Sequence, residues 1–196
     1  MVLKTGLLGP MISMFFLSAC VQASEKPAAS DCKETARVFL MLPSEEGMNA
    51  LAGSREAACW LEFESSNTNG SKLNGWVERG NRWAAQYLAT HVNHLEGGNG
   101  EDALIALGMF SEQDMESLFV FAKHGLLTKN DFHHALTMLP LSLADDLHAQ
   151  LNALNTRRAK VSLVARKDLS EQKQQALTAI DEFAAELKVH ISINEK

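Results

Sequence analysis

The sequence predicts an all-α fold: a single domain of about eight short-to-medium helices, a helical bundle or stacked helical array with an N-terminal helical hairpin. Three observations carry this. The stretch from Ser111 to Leu139 is written twice: Ser111, Asp114, Met115, Leu118, Phe119 and Ala122 recur seventeen residues later as Thr128, Asp131, Phe132, Ala135, Leu136 and Leu139. Apolar residues from Leu73 to Leu95 fall at a 3-4-3 spacing, the signature of one helix face. Apart from the tail Val189-His190-Ile191-Ser192-Ile193, no segment alternates as a half-buried strand does.

Taken in order, Ser30 or Asp31 caps a first helix that Pro43-Ser44 ends. Ser44-Glu45-Glu46 opens a second helix running toward Phe63, with a break expected near Gly53-Ser54. These two form the N-terminal hairpin. Ser65 to Ser71 reads as a loop. Leu73 to Leu95 reads as the longest helix, ended by Gly97-Gly98-Asn99-Gly100, and a brief helix over Glu101 to Leu107 follows. In the paired stretch, Ser111 and Thr128 each stand three residues ahead of an Asp. Each hydroxyl is expected to accept from an amide in the first turn, with the carboxylate near the positive end of the helix dipole. Gly125 stops the first helix of the pair and Pro140 follows the second. Leu141-Ser142 caps a longer helix to about Ala165, and Ser170 caps the last one. The alternating tail has the pattern of an extended segment, but a lone strand would have no partner here.

The first nineteen residues do not belong to the domain. Lys4 supplies a positive start and Leu7 to Leu17 an apolar run too short for a permanent membrane span. Leu17-Ser18-Ala19-Cys20 follows and resembles the lipobox of bacterial lipoproteins. The resemblance covers residues 1–20 only. It implies acylation of Cys20, cleavage before it and, with Val21 rather than Asp next, sorting to the outer membrane, facing the periplasm. Val21-Gln22-Ala23 also suits ordinary signal cleavage, which would give a soluble periplasmic or secreted chain. Either way the chain divides into a signal peptide (1–19), a short polar tether (20–30) and an all-α domain (31–196). With Cys20 set aside, Cys32 and Cys59 remain. In an oxidising compartment they read as one disulfide worth about 3–4 kcal/mol, the alternative being two buried free thiols.

The chain carries 18 Lys and Arg against 24 Asp and Glu, a formal net charge of −6. The excess is uneven: residues 20–155 hold 9 basic and 18 acidic side chains, residues 156–196 hold 8 and 6. Nucleic acid is therefore not an expected partner, and a basic protein is easier to accommodate.

Catalytic motifs are absent. No His-Glu-x-x-His, clustered Cys-x-x-Cys, P-loop or Gly-x-Ser-x-Gly occurs, and the EF-hand loop is missing. His91 with His94 and His133 with His134 make pairs only, short of the ligands a zinc site needs. No metal or cofactor is expected. The candidate binding residues are the acids Glu112, Glu116, Asp145 and Asp146, and the aromatic stripe Trp76, Trp83, Tyr87. The stripe suits a groove for a glycan or peptide, but it coincides with the apolar face of its helix, and core packing is the preferred reading. The basic run Arg157, Arg158, Lys160, Arg166 and Lys167 reads as a solvated face or an anionic-polymer contact. The function expected is that of a non-enzymatic envelope lipoprotein that binds another protein, of inhibitor or immunity type. A glycan- or peptidoglycan-binding module and an envelope hydrolase with scattered residues are the alternatives.

Overall fold

A computed structural model describes residues 30–52, 59, 60, 62, 63 and 66–195. The expected signal segment, Cys20 and the expected tether up to residue 29 lie outside the described residues. Among the described residues the chain is helical throughout, with nine α-helices and no strand: α1 (Ser30–Met41), α2 (Glu45–Leu51), α3 (Asn67–Glu78), α4 (Arg82–His91), α5 (Gly97–Ser111), α6 (Met115–Lys123), α7 (Lys129–Thr137), α8 (Leu147–Leu163) and α9 (Ser170–Asn194). Short 3-10 turns at Val92–His94, Leu141–Leu143 and Lys167–Leu169 join some of them.

Capping explains most of the starts. Ser44, Ser66, Asn81, Asp114, Thr128 and Asp146 each accept a hydrogen bond from a first-turn amide of α2, α3, α4, α6, α7 and α8. Each such cap stabilises its helix by about 1 kcal/mol. At α7 the cap is reciprocal: Asp131 N donates to Thr128 Oγ1 at 3.1 Å, and Thr128 N donates to Asp131 Oδ2 at 3.3 Å. The first copy of the repeat behaves differently. Ser111 is the last residue of α5, buried, and its hydroxyl donates to Gly108 O at 2.6 Å. Asp114 caps α6 instead, accepting from Ser117 N at 3.0 Å. A carboxylate one residue ahead of Met115 reaches the first-turn amides, whereas a serine four residues ahead falls in the preceding turn.

The single helix expected over Leu73 to Leu95 is two helices and a 3-10 turn. Gly80 adopts φ +83°, a left-handed conformation that a side chain disfavours. Asn81 then caps α4, with Ala84 N donating to its Oδ1 at 2.9 Å. The apolar spacing persists across this break because α3 and α4 both face the same core. The expected loop Ser65 to Ser71 is largely the first turn of α3. Gly97 to Gly100 opens α5, which runs to Ser111 and not only over Glu101 to Leu107. Leu141-Ser142 lies in a 3-10 turn, and Asp146 caps α8, with Ala149 N donating at 2.8 Å. Ser170 makes no side-chain cap, and the alternating tail is the end of α9. A lone strand there would have no edge to pair with.

α5 is the centre. It packs on α3, α4, α6 and α7, while α9 runs along α8 and covers α7. The core holds Leu107, Phe110, Leu118, Phe119, Phe132 and Leu136, all at most 2% exposed. Phe119 meets Phe132 edge-on at 5.8 Å, and Phe110 stacks on Phe121 at 6.0 Å. At the other end, Cys32 of α1 is joined to Cys59, with Cα atoms 4.9 Å apart. α1 packs on α2, the disulfide ties α1 to residue 59 within the N-terminal segment, and Trp76 Nε1, which donates to Leu40 O at 2.9 Å, ties α1 to the body.

Candidate functional site

The residues singled out by sequence end in different places. Tyr87 is 2% exposed and sits in an aromatic cluster, with ring centroids 5.5 Å from Phe39, 5.2 Å from Phe63 and 4.6 Å from His91. Trp76 and Trp83 are half-buried. The Arg79 guanidinium lies 4.6 Å over the Trp76 ring and Arg82 lies 5.8 Å from the Trp83 ring. The stripe is thus chiefly core, with cations on the two tryptophans, and does not form an open platform for a sugar.

The four acids do three different things. Glu112 pairs with buried Arg157 at 2.9 Å, Asp146 caps α8, and Glu116 and Asp145 are exposed. Four of the five residues of the basic run, all but exposed Lys167, are likewise tied up. Arg158 pairs with Asp181 at 2.6 Å. Arg166 and Lys123 share Asp168 at 2.8 and 2.9 Å. Hydrogen bonds from Arg166 and Lys123 hold the Asp168 carboxyl far below the usual carboxylate range, and the hydrogen bond from Arg158 lowers Asp181. Lys160 Nζ donates to Glu112 O.

Arg157 is the least expected placement. It is fully buried, with its guanidinium at the C-terminal end of α7. Nη1 donates to Leu136 O at 2.8 Å, Met138 O at 3.1 Å and Ala135 O at 3.4 Å, and Nη2 donates to Glu112 Oε1 at 2.9 Å. Burial pushes the guanidinium below its ordinary value, countered by the Glu112 hydrogen bond and charge, and it remains a cation. It complements the negative end of the α7 dipole and satisfies carbonyls that the helix leaves orphaned. Gly108 makes room for it: a Cβ there would stand 2.5 Å from Ala135 O and 3.2 Å from Arg157 Nη1. In sequence Arg157 is one of a basic cluster, and only the third dimension separates it from Arg158.

This knot fixes the segment after α7, and that segment walls the main apolar groove. The groove, about 360 Å³, is lined by Glu101 and Ile105 of α5, His133, His134 and Thr137 of α7, the linker Met138, Leu139 and Pro140, the turn residues Leu141 and Leu143, Ala144, Gln150 of α8 and Phe183 of α9. Gln150 Nε2 donates to Leu143 O and Ala144 O, both at 2.9 Å, which holds the far wall. Leu141 is 76% exposed. No Lys or Arg lines the groove, and Glu101 is the one carboxylate in its lining. Sequence reasoning passed over it because its wall residues come from five separate elements. The signal present was Met138-Leu139-Pro140-Leu141, four apolar residues between two helices.

A second cavity, about 210 Å³, lies between Trp60 and Phe63, α3 and the start of α5. Trp60, Phe63, Leu73, Leu88 and Leu95 give it apolar walls, and Ser71, Asn74, Asn99 and Asp102 give it polar ones. Trp60 is 4% exposed, stacks on His91 at 4.5 Å, and its Nε1 has no acceptor. A buried donor left unpaired costs about 1–3 kcal/mol.

The histidine pairs do not converge into a metal site. His91 is buried with Nδ1 2.9 Å from Tyr87 O, His94 is exposed, and His148 faces Glu195 at 3.3 Å. Among the described residues no group of three or more His, Cys, Asp or Glu is placed to hold a metal ion. Among the described residues, also, no helix is long and apolar enough to cross a membrane. Fold and site together define an all-α domain with an apolar groove held open by a buried arginine knot. No family model, curated protein or solved structure matches the chain.

Proposed function

We propose that this chain is a non-enzymatic cell-envelope lipoprotein, anchored through Cys20 at the outer membrane and facing the periplasm. It acts by binding a protein partner, in the manner of an inhibitor or immunity protein. The observation that carries the binding reading is the groove around Ile105, Met138, Leu141 and Phe183. Concave apolar surface of this size, with a few polar groups at its margin, is where proteins take ligands. The occupant that fits is an apolar segment flanked by basic residues. The walls are largely apolar, Glu101 is the only carboxylate among the lining residues and no Lys or Arg is among them, and exposed Asp145 follows directly on wall residue Ala144. An acidic flank would meet like charge there; a basic one is steered in. The lipobox-like Leu17-Ser18-Ala19-Cys20 and the Cys32–Cys59 bond support an exported setting.

The test is a displayed-peptide selection on the purified domain, with Leu141→Asp protein as the subtraction target. Enriched peptides are expected to carry two or more large apolar residues beside Lys or Arg, and to bind the Leu141→Asp protein roughly tenfold more weakly. Enrichment of acid-flanked peptides, or binding indifferent to Leu141→Asp, would count against the groove.

A further inference from the structure

We propose that the cavity beside Trp60 is a second binding site, separate from the groove, and that it takes one neutral carbohydrate unit. Four polar side chains of its wall, Ser71, Asn74, Asn99 and Asp102, make no hydrogen bond to another described residue. Trp60, in the same wall, holds a buried N–H without an acceptor. The first-turn amides of α5, where Asn99 lies, have no side-chain cap either. Side-chain donors and acceptors not used within the fold, Ser71, Asn74, Asn99 and Asp102, therefore line one small space.

The chemistry of that capacity selects the ligand. Ser hydroxyls and Asn carboxamides each donate and accept, as sugar hydroxyls do. Asp102 can accept from two adjacent hydroxyls, and Asn74 and Asn99 can donate to a ring or carbonyl oxygen. No Lys or Arg lines the cavity, so a phosphate or carboxylate would face Asp102 unpaired. A purely apolar ligand would desolvate the polar wall with no return. A ring with C–H faces against Leu73, Leu88 and Leu95 and hydroxyls toward the polar wall satisfies both halves. At about 210 Å³ the cavity is smaller than a drug-sized pocket, which suits one ring, not a chain of them. Exposed Ser71, Asn99 and Asp102 put the polar wall at the surface, so the unit can be the terminal residue of a longer glycan.

The experiment is a titration of the 15N-labelled domain with glucose, galactose, N-acetylglucosamine and N-acetylmuramic acid, following the three tryptophan indole signals. The Trp60 signal, assigned by its loss in Trp60→Phe, is expected to shift saturably at millimolar concentration of a neutral sugar while the Trp83 signal stays put. The Asn74→Ala/Asp102→Ala double variant is expected to keep its melting temperature and to bind roughly tenfold more weakly. Asn99→Ala serves as an independent second variant. No saturable Trp60 shift with any sugar, a shift unchanged in both variants, or a preference for the anionic sugar over the neutral ones would overturn the proposal.

Discussion

Replacing Arg157 with Met removes the guanidinium that ties α7, α8 and the end of α5 together. Met fills much of the same volume, so the loss reports polar chemistry more than a cavity. The side chain is 0% exposed and makes two short bonds to Leu136 O and Glu112 Oε1, a third to Met138 O and a long fourth to Ala135 O. A hydrogen bond to a charged group contributes about 1.5–3 kcal/mol. Removing the cation also removes its own desolvation cost, which offsets part of that. The net loss expected in urea unfolding is about 3–5 kcal/mol, the range for breaking a buried pair by deleting one partner. Glu112→Gln keeps an acceptor for Nη2, and the Glu112 side chain is 35% exposed, so its loss should be only about 1 kcal/mol. Amide exchange should also speed up at Met138, whose N–H donates to His134 O at 2.7 Å beside the knot. A loss below about 1 kcal/mol for Arg157→Met would mean that the knot behaves as an ordinary surface pair and that the groove wall is held by something else.

The two neighbouring acids at the start of α8 should separate. Asp146→Ala should cost about 1 kcal/mol as a lost cap, and Asp145→Ala should stay within about 0.5 kcal/mol, both read by urea unfolding. Cys32 and Cys59 should resist alkylation until reduced, and Cys32→Ser/Cys59→Ser should lower stability by about 3–4 kcal/mol; free thiols in protein taken from the envelope would refute the pairing. Asp168 and Asp181 have folded-state pKa values held down by their cationic partners, so their contribution is full above about pH 4–5 and is lost as pH falls through the folded values. The melting temperature of Asp168→Asn/Asp181→Asn should therefore trail the parent at neutral pH and converge with it in strong acid. Cys20→Ser should abolish membrane retention in fractionated cells; a wild-type chain already soluble and starting at Ser24 would refute the anchor.

Much of the fold was legible because local chemistry decides it. Thr128 with Asp131, and Gly125 after Lys123, mark α7 and the end of α6 by residues that touch only their own helix ends. The misreadings fall where tertiary contact decides. The break at Gly80 is filled by Gln113 from the turn between α5 and α6, which donates to Glu78 O, so nothing within Leu73 to Leu95 announces it. The tail alternates, but the lack of a pairing strand already weighed against an extended form, and it continues α9. The site was less legible still. Glu112 and Asp146 looked like matching surface acids until Arg157 Nη2 and Ala149 N claimed them. Trp60 drew no notice because one tryptophan between Cys59 and Leu61 has no periodic company. Groove and cavity both draw on helices far apart in the chain, and a spacing rule cannot bring those together.

The most direct test of protein binding through the groove is site-specific photo-cross-linking in intact cells. A photoreactive phenylalanine replaces Leu141 at the groove edge or, as the comparison, Leu163, which is 81% exposed on α8. Position 141 should yield a covalent adduct with one envelope protein, mapped to an apolar segment flanked by Lys or Arg, and position 163 should not. Equal adducts at both positions, none at 141, or attachment to an acidic segment would contradict the account.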